Sequence, residues 1–114
     1  MDALARDAVR RYVTATTETV ERRMRKEQPT LTISYGEQLH ADITEAVWAA
    51  ERLGVTDQDQ IYDWCVVRIA SRQPFYSMHE FADVFDHPFL PPFAKARHII
   101  MAFFSAAALQ RGIC

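Results

Sequence analysis

Residues 37–54 read EQLHADITEAVWAAERLG, and their periodicity decides the fold. Leu39, Ile43, Ala46, Val47, Ala50 and Leu53 recur three and four positions apart, which places them on one face of an α-helix. Gly54 follows directly, in the position where a helix commonly ends on a left-handed residue. The stretch therefore predicts a helix over 37–53 that buries one stripe.

The next segment continues the helical reading. Thr56 is the expected N-cap, with Asp57 and Asp59 in the first turn, where the helix dipole favours negative charge. Over 57–72, Ile61, Tyr62, Trp64, Cys65, Val66, Val67 and Ile69 point in nearly every direction, the mark of a central helix. Gln73 and Pro74 end it. Ser77 and Glu80 form a capping box for a short helix over 78–85 that buries Met78, Phe81, Ala82 and Phe85. After the stiff HPFLPPF turn, Pro92 opens a helix over 92–111. Phe93, Ala96, Ile100, Phe104 and Ala107 form its stripe, while Ile99, Phe103 and Leu109 fall outside it.

Upstream, residues 2–27 predict a long helix with Leu4, Ala8, Val9, Tyr12, Val13, Thr16, Val20 and Met24 on one face. Asp2 caps it, and Pro29 bars its continuation. Residues 30–35, TLTISY, alternate Leu31, Ile33 and Tyr35 with Thr and Ser in the manner of a strand. With no partner strand, they predict an extended connector that pins these three apolar side chains to the core. The expected fold is all-α. It is a single domain over 1–114, a compact bundle of four to five helices with one short extended connector at 30–35. The 57–72 and 92–111 helices are expected at the centre, flanked by 2–27 and 37–53.

Charge is divided along this framework. Residues 37–63 carry seven acids (Glu37, Asp42, Glu45, Glu51, Asp57, Asp59, Asp63) against one base, Arg52. The first 27 residues carry seven bases against five acids, and the last 23 carry Lys95, Arg97 and Arg111 with no acid. Such a division bears on partners rather than on fold. The net charge of −2 argues against general nucleic-acid binding. Arg22, Arg23, Arg25 and Lys26 are accounted for by the dipole at a helix C-terminus.

The start, MDALARDAVRRY, has no apolar core of a signal peptide, and no apolar run approaches the ~20 residues that span a bilayer. A cytoplasmic protein is expected, without membrane association. Cys65 and Cys114 show no metal or redox spacing. No nucleophile elbow or phosphate loop is present, and three glycines leave little to build one. The expectation is a non-enzyme without cofactor or metal.

Trp48 lies opposite the core stripe of the 37–53 helix, beside Glu45 and Arg52. A tryptophan on an acidic face resembles the anchor of a protein interface. The expected partner-binding residues are Asp42, Glu45, Trp48, Glu51 and Arg52, with Asp57 and Asp59 at the rim. They would meet a protein partner with a basic surface, as an immunity protein, antitoxin or adaptor does. Two alternatives stand beside this. One is a pocket for an apolar small ligand between the last three predicted helices. The other is a metal-dependent enzyme built on His79-Glu80-x-x-Asp83, with Asp86 and His87 close behind, since ligands four apart on a helix can share a metal. The apolar excess of the 92–111 helix also suggests a homodimer through that helix.

Overall fold

In a computed structural model, the chain folds as an all-α bundle. Helix α1 spans Ala3–Glu27, α2 Pro29–Tyr35, α3 Leu39–Leu53, α4 Gln58–Ser71, α5 Ala82–Phe85 and α6 Pro92–Gln110, with a 3₁₀ turn at Phe75–Ser77. The structure describes residues 3–77 and 81–110, with side chains outside position 85 and the stretch 104–110.

Helix α3 keeps the predicted stripe. Leu39, Ile43, Ala46, Val47, Ala50 and Leu53 are all buried, and Ala49 joins them. Gly54 closes the helix at φ +95°, and its N–H reaches the carbonyls of Ala50 and Glu51. The left-handed conformation turns the chain at once, so that Val55 dives back into the core. Helix α4 starts one residue later than predicted. Asp57, not Thr56, is the N-cap, and its carboxylate accepts the Gln60 N–H at 2.9 Å.

The TLTISY segment corrects the reading as an extended connector. Pro29 sits in the first turn, where its fixed φ suits a helix and its missing N–H is not needed. Thr32 Oγ1 then donates to the Pro29 carbonyl at 3.0 Å, and Ser34 Oγ to that of Leu31 at 3.1 Å. In the helix Leu31 and Tyr35, four apart, share a half-buried face with buried Thr32. Ile33 points away and is 78 % exposed. A two-residue alternation had grouped all three apolar side chains; helical geometry separates them.

The centre also differs from expectation. Helices α3 and α4 and the C-terminal half of α1 supply most of it, through Ile43, Val47, Trp64, Cys65, Ile69, Val20 and Met24. Helix α6 lies against α4 and adds Ala96 and Ile99, while Phe93 of its predicted stripe is exposed. Trp64 anchors this packing. Its Nε1 donates to the Ala46 carbonyl at 3.1 Å, its ring stacks on Tyr76, and Phe75 meets it edge-on. The first turns of α1 lie outside this core: Leu4 is 79 % exposed, and Ala8 and Tyr12 are also exposed.

Candidate functional site

The predicted partner-binding residues fall into two groups. Asp42 and Glu45 belong to an internal network. Helix α4 carries Arg68 inward, and although charged it is only 6 % exposed. Its Nε donates to Glu45 Oε1 at 3.3 Å, its Nη2 lies 3.5 Å from Asp42 Oδ1, and its Nη1 donates to Tyr35 Oη at 3.3 Å. Tyr35 in turn donates to Asp42, and Tyr76 donates to Glu45 Oε1 at 2.7 Å. Burial disfavours the Arg68 charge, but its bonds to Glu45 and Tyr35 outweigh this and hold its pKa above the ordinary range. Burial, aided by the bond to Asp42, pushes the Tyr35 hydroxyl up as well.

Two acids of the expected face are thus engaged by the chain's own arginine. Beside them, Arg72 reaches the Ser34 carbonyl at 3.2 Å and lies over the Tyr35 ring. The network fastens α2 to α3 and α4. Trp48 is half-buried and packs on the core cluster, so only part of its ring faces outward. Arg52 is exposed and lines a small recess with Ala49, Tyr76 and Ser77.

Glu51, Asp57 and Asp59 form the second group, at the shoulder where α3 turns into α4. Asp59 is paired with Arg23 of α1 at 2.9 Å. That guanidinium also holds Glu27 at 2.7 Å and lies over the Tyr62 ring at 3.9 Å. Glu51 makes no ion pair among the described residues, and Asp57 caps α4. Farther along α1, Glu21 bridges Arg25 at 3.0 Å and His40 at 2.7 Å. Arg23 and Arg25, two of the four bases near the end of α1, therefore serve the fold.

Two grooves flank the shoulder. One, of about 450 Å³, runs between the first half of α1 and the α3–α4 turn and is lined by Ala8, Val9, Tyr12, Glu51, Gly54, Val55, Thr56 and Gln58. Its surface is mainly apolar, and Glu51 is the one charged residue among the described residues that line it. The other, of about 310 Å³, lies between α4 and α6, where Asp57, Gln60 and Asp63 face Phe93, Arg97, Ile100 and Met101. Sequence periodicity placed Ala8, Val9 and Tyr12 in the core stripe. It carried no sign that α1 outruns the elements that could cover it.

Among the described residues, no three His, Cys, Asp or Glu side chains are placed to hold a metal. His79 and Glu80 lie outside the described residues, while Asp83, Asp86 and His87 are exposed. Cys65 is a buried free thiol, and burial pushes its pKa well above the ordinary value, opposite to what a nucleophile needs. No described helix is long and apolar enough to cross a membrane. Helix α6, the expected dimer surface, exposes Phe93 and Met101, and its side chains at 104–110 lie outside those described. Comparison of the chain with protein-family models, with curated proteins and with solved structures finds no match in any of the three.

Proposed function

We propose that the chain is a cytoplasmic protein-binding module that docks an apolar, basic-edged segment of a partner in the groove between α1 and the α3–α4 turn. The observation that carries this reading is the groove itself: an apolar bed of Ala8, Val9, Tyr12 and Val55 beside Glu51, whose charge no described residue neutralises. An amphipathic helix laid in such a groove would bury apolar side chains and bring a Lys or Arg to the acid. An immunity protein or antitoxin that blocks a basic site on its partner has these needs, as does an adaptor.

This reading moves the contact away from Trp48, Asp42 and Glu45 and keeps Glu51, with Asp57 and Asp59 nearby. It is tested with the tagged chain as bait in lysate of its own source, at low salt, beside Tyr12→Ala and Glu51→Lys. A stoichiometric protein held by the wild type and lost from both variants is the expected result. Equal retention by all three would reject the groove as the docking site.

A further inference from the structure

The first turns of α1 outrun the elements packed beside them, and they carry an ordered pattern rather than a plain polar surface. Leu4 is 79 % exposed and lies outside the lining of the α1 groove. Ala8 and Tyr12 follow it at intervals of one helical turn and are also exposed. At that spacing the three form one apolar edge. Arg11 borders this edge, one turn past Ala8. It is exposed, and like Arg6 and Arg10 it makes no ion pair among the described residues. Asp7 is the one acid between Ala3 and Tyr12.

This edge has the chemistry that the neighbouring groove selects. The groove is an apolar bed with Glu51 on it, and Glu51 makes no ion pair among the described residues either. The occupant it calls for is an apolar helical face with a base at its margin, and the first half of α1 is such a face. Ala8 and Tyr12 belong to both features, since they line the groove of their own chain and form part of the edge. A surface that is bed and occupant at once is what a twofold contact between identical chains requires, because each patch must complement itself. The charges agree with this. Arg11 and Glu51 are not paired within one chain, whereas between two copies they would meet twice, once on each side of the axis.

We propose that the first half of α1 pairs two copies of this chain, the edge of Leu4, Ala8 and Tyr12 of each seated in the groove of the other, with Arg11 opposite Glu51 of the second copy. Ala8, in the middle of the edge, offers no bulk to hold the two helices apart. About three turns of helix per copy make an interface smaller than the ~1,600 Å² of a standard complex, so the pairing is weak and reversible. It moves the expected self-association from α6 to α1. It occupies the groove of the proposed docking function and rests on that reading only in that the two occupants exclude one another.

Sedimentation equilibrium of the untagged chain at low salt tests this with no other protein present. The mass should rise from 13.1 kDa toward twice that value as concentration increases. Leu4→Asp should abolish the rise without lowering the melting temperature of the dilute protein, because Leu4 is exposed in the single copy. Arg11→Glu and Glu51→Arg should each weaken pairing by about tenfold or more, since like charges then face each other. Equimolar mixing of these two variants should restore it, because every contact in the mixed pair joins opposite charges. The double variant should pair with itself for the same reason. A mass that stays at 13.1 kDa up to about 1 mM would overturn the proposal. So would charge variants that mixing does not rescue, or a dimer that persists in Leu4→Asp and is lost in Met101→Asp, which would place the contact on α6. A chain that stays monomeric and binds anionic lipid vesicles through Leu4 would assign the edge to a membrane surface instead. Capture of a lysate protein is a separate measurement. Its failure leaves the pairing standing, and a strictly monomeric chain leaves the docking groove standing.

Discussion

Arg68 Nε donates to Glu45 Oε1 at 3.3 Å across the α3–α4 interface, and the same oxygen receives the Tyr76 hydroxyl at 2.7 Å. One carboxylate oxygen therefore joins the central helix to the turn that follows it. The two partners differ in setting: the Arg68 side chain is 7 % exposed and that of Glu45 50 %. A charge held by several partners in low dielectric depends on all of them, whereas a half-exposed carboxylate can turn to water.

That asymmetry predicts unequal costs. Arg68→Ala leaves Asp42, Tyr35 and Glu45 around a gap and should lose about 3 kcal/mol in chemical denaturation. Glu45→Gln should lose about 1 kcal/mol or less, because the amide can still accept from Tyr76 and Arg68. Arg68→Met should fall between them by restoring apolar volume without charge. Equal losses for Arg68→Ala and Glu45→Gln would show that the network carries little of the stability.

Gly36 and Gly54 separate backbone strain from steric contact. Both have positive φ, +91° and +95°, but a Cβ on Gly36 would meet nothing within 4 Å, while one on Gly54 would lie 3.0 Å from Pro92 Cγ. Gly36→Ala should cost about 2 kcal/mol from its backbone alone, because φ +91° with ψ −151° is a region almost confined to glycine. Gly54→Ala should cost about 1 kcal/mol for its left-handed backbone and a further amount for the contact, since Pro92 is stiff and fixes the start of α6. Denaturant midpoints of the two variants measure both costs directly. A cost at Gly54 no greater than its backbone share would mean that α6 can shift away from the α3–α4 turn.

The contrast between α3 and α2 shows how far sequence reasoning reaches. Six apolar residues at helical spacing followed by Gly54 determine α3, because local geometry and burial agree along its length. Seven residues of α2 contain a proline, two threonines and a serine, and their alternation matches a strand as well as one face of a short helix. There the Arg68 network decides by holding Tyr35, and it spans residues too distant in sequence for periodicity to register. The pairing of Glu45 and Asp42 with Arg68 escaped notice for the same reason. On a helical wheel they lie on a charged face, and only the position of α4 turns them inward to Arg68. Ala8 and Tyr12 depart in the other direction, being exposed while Val9 between them packs on the core, since periodicity reveals an apolar stripe but not whether a neighbour reaches it.

Cys65 offers a readout of this core. Its thiol is fully buried beside Trp64, and burial pushes its pKa far up. In a Cys114→Ser background it is the sole thiol, and modification by a disulfide reagent should proceed no faster than the opening of the helical core. Arg68→Ala should accelerate modification in proportion to its lost stability. Rapid modification of otherwise native protein would mean that α4 opens locally without global unfolding.

Asp63 couples stability to pH. Its carboxyl is held above its ordinary value of 3.8, by burial first and then by Asp59 and Asp57, with Arg23 acting in the opposite sense. The folded state therefore binds the Asp63 proton more tightly than the unfolded chain does. Its contribution in favour of folding is complete below pH 3.8 and is lost as pH rises through the folded-state value. Asp63→Asn removes the penalty of the charged form, so the variant should melt at a higher temperature than wild type at neutral pH. The gain is small because the side chain is only partly withdrawn from solvent and its charge is screened, and it should vanish as pH falls below 3.8. Melting curves of both proteins across pH at one ionic strength test the sign. A variant less stable than wild type at neutral pH would show that the Asp63 charge serves the fold.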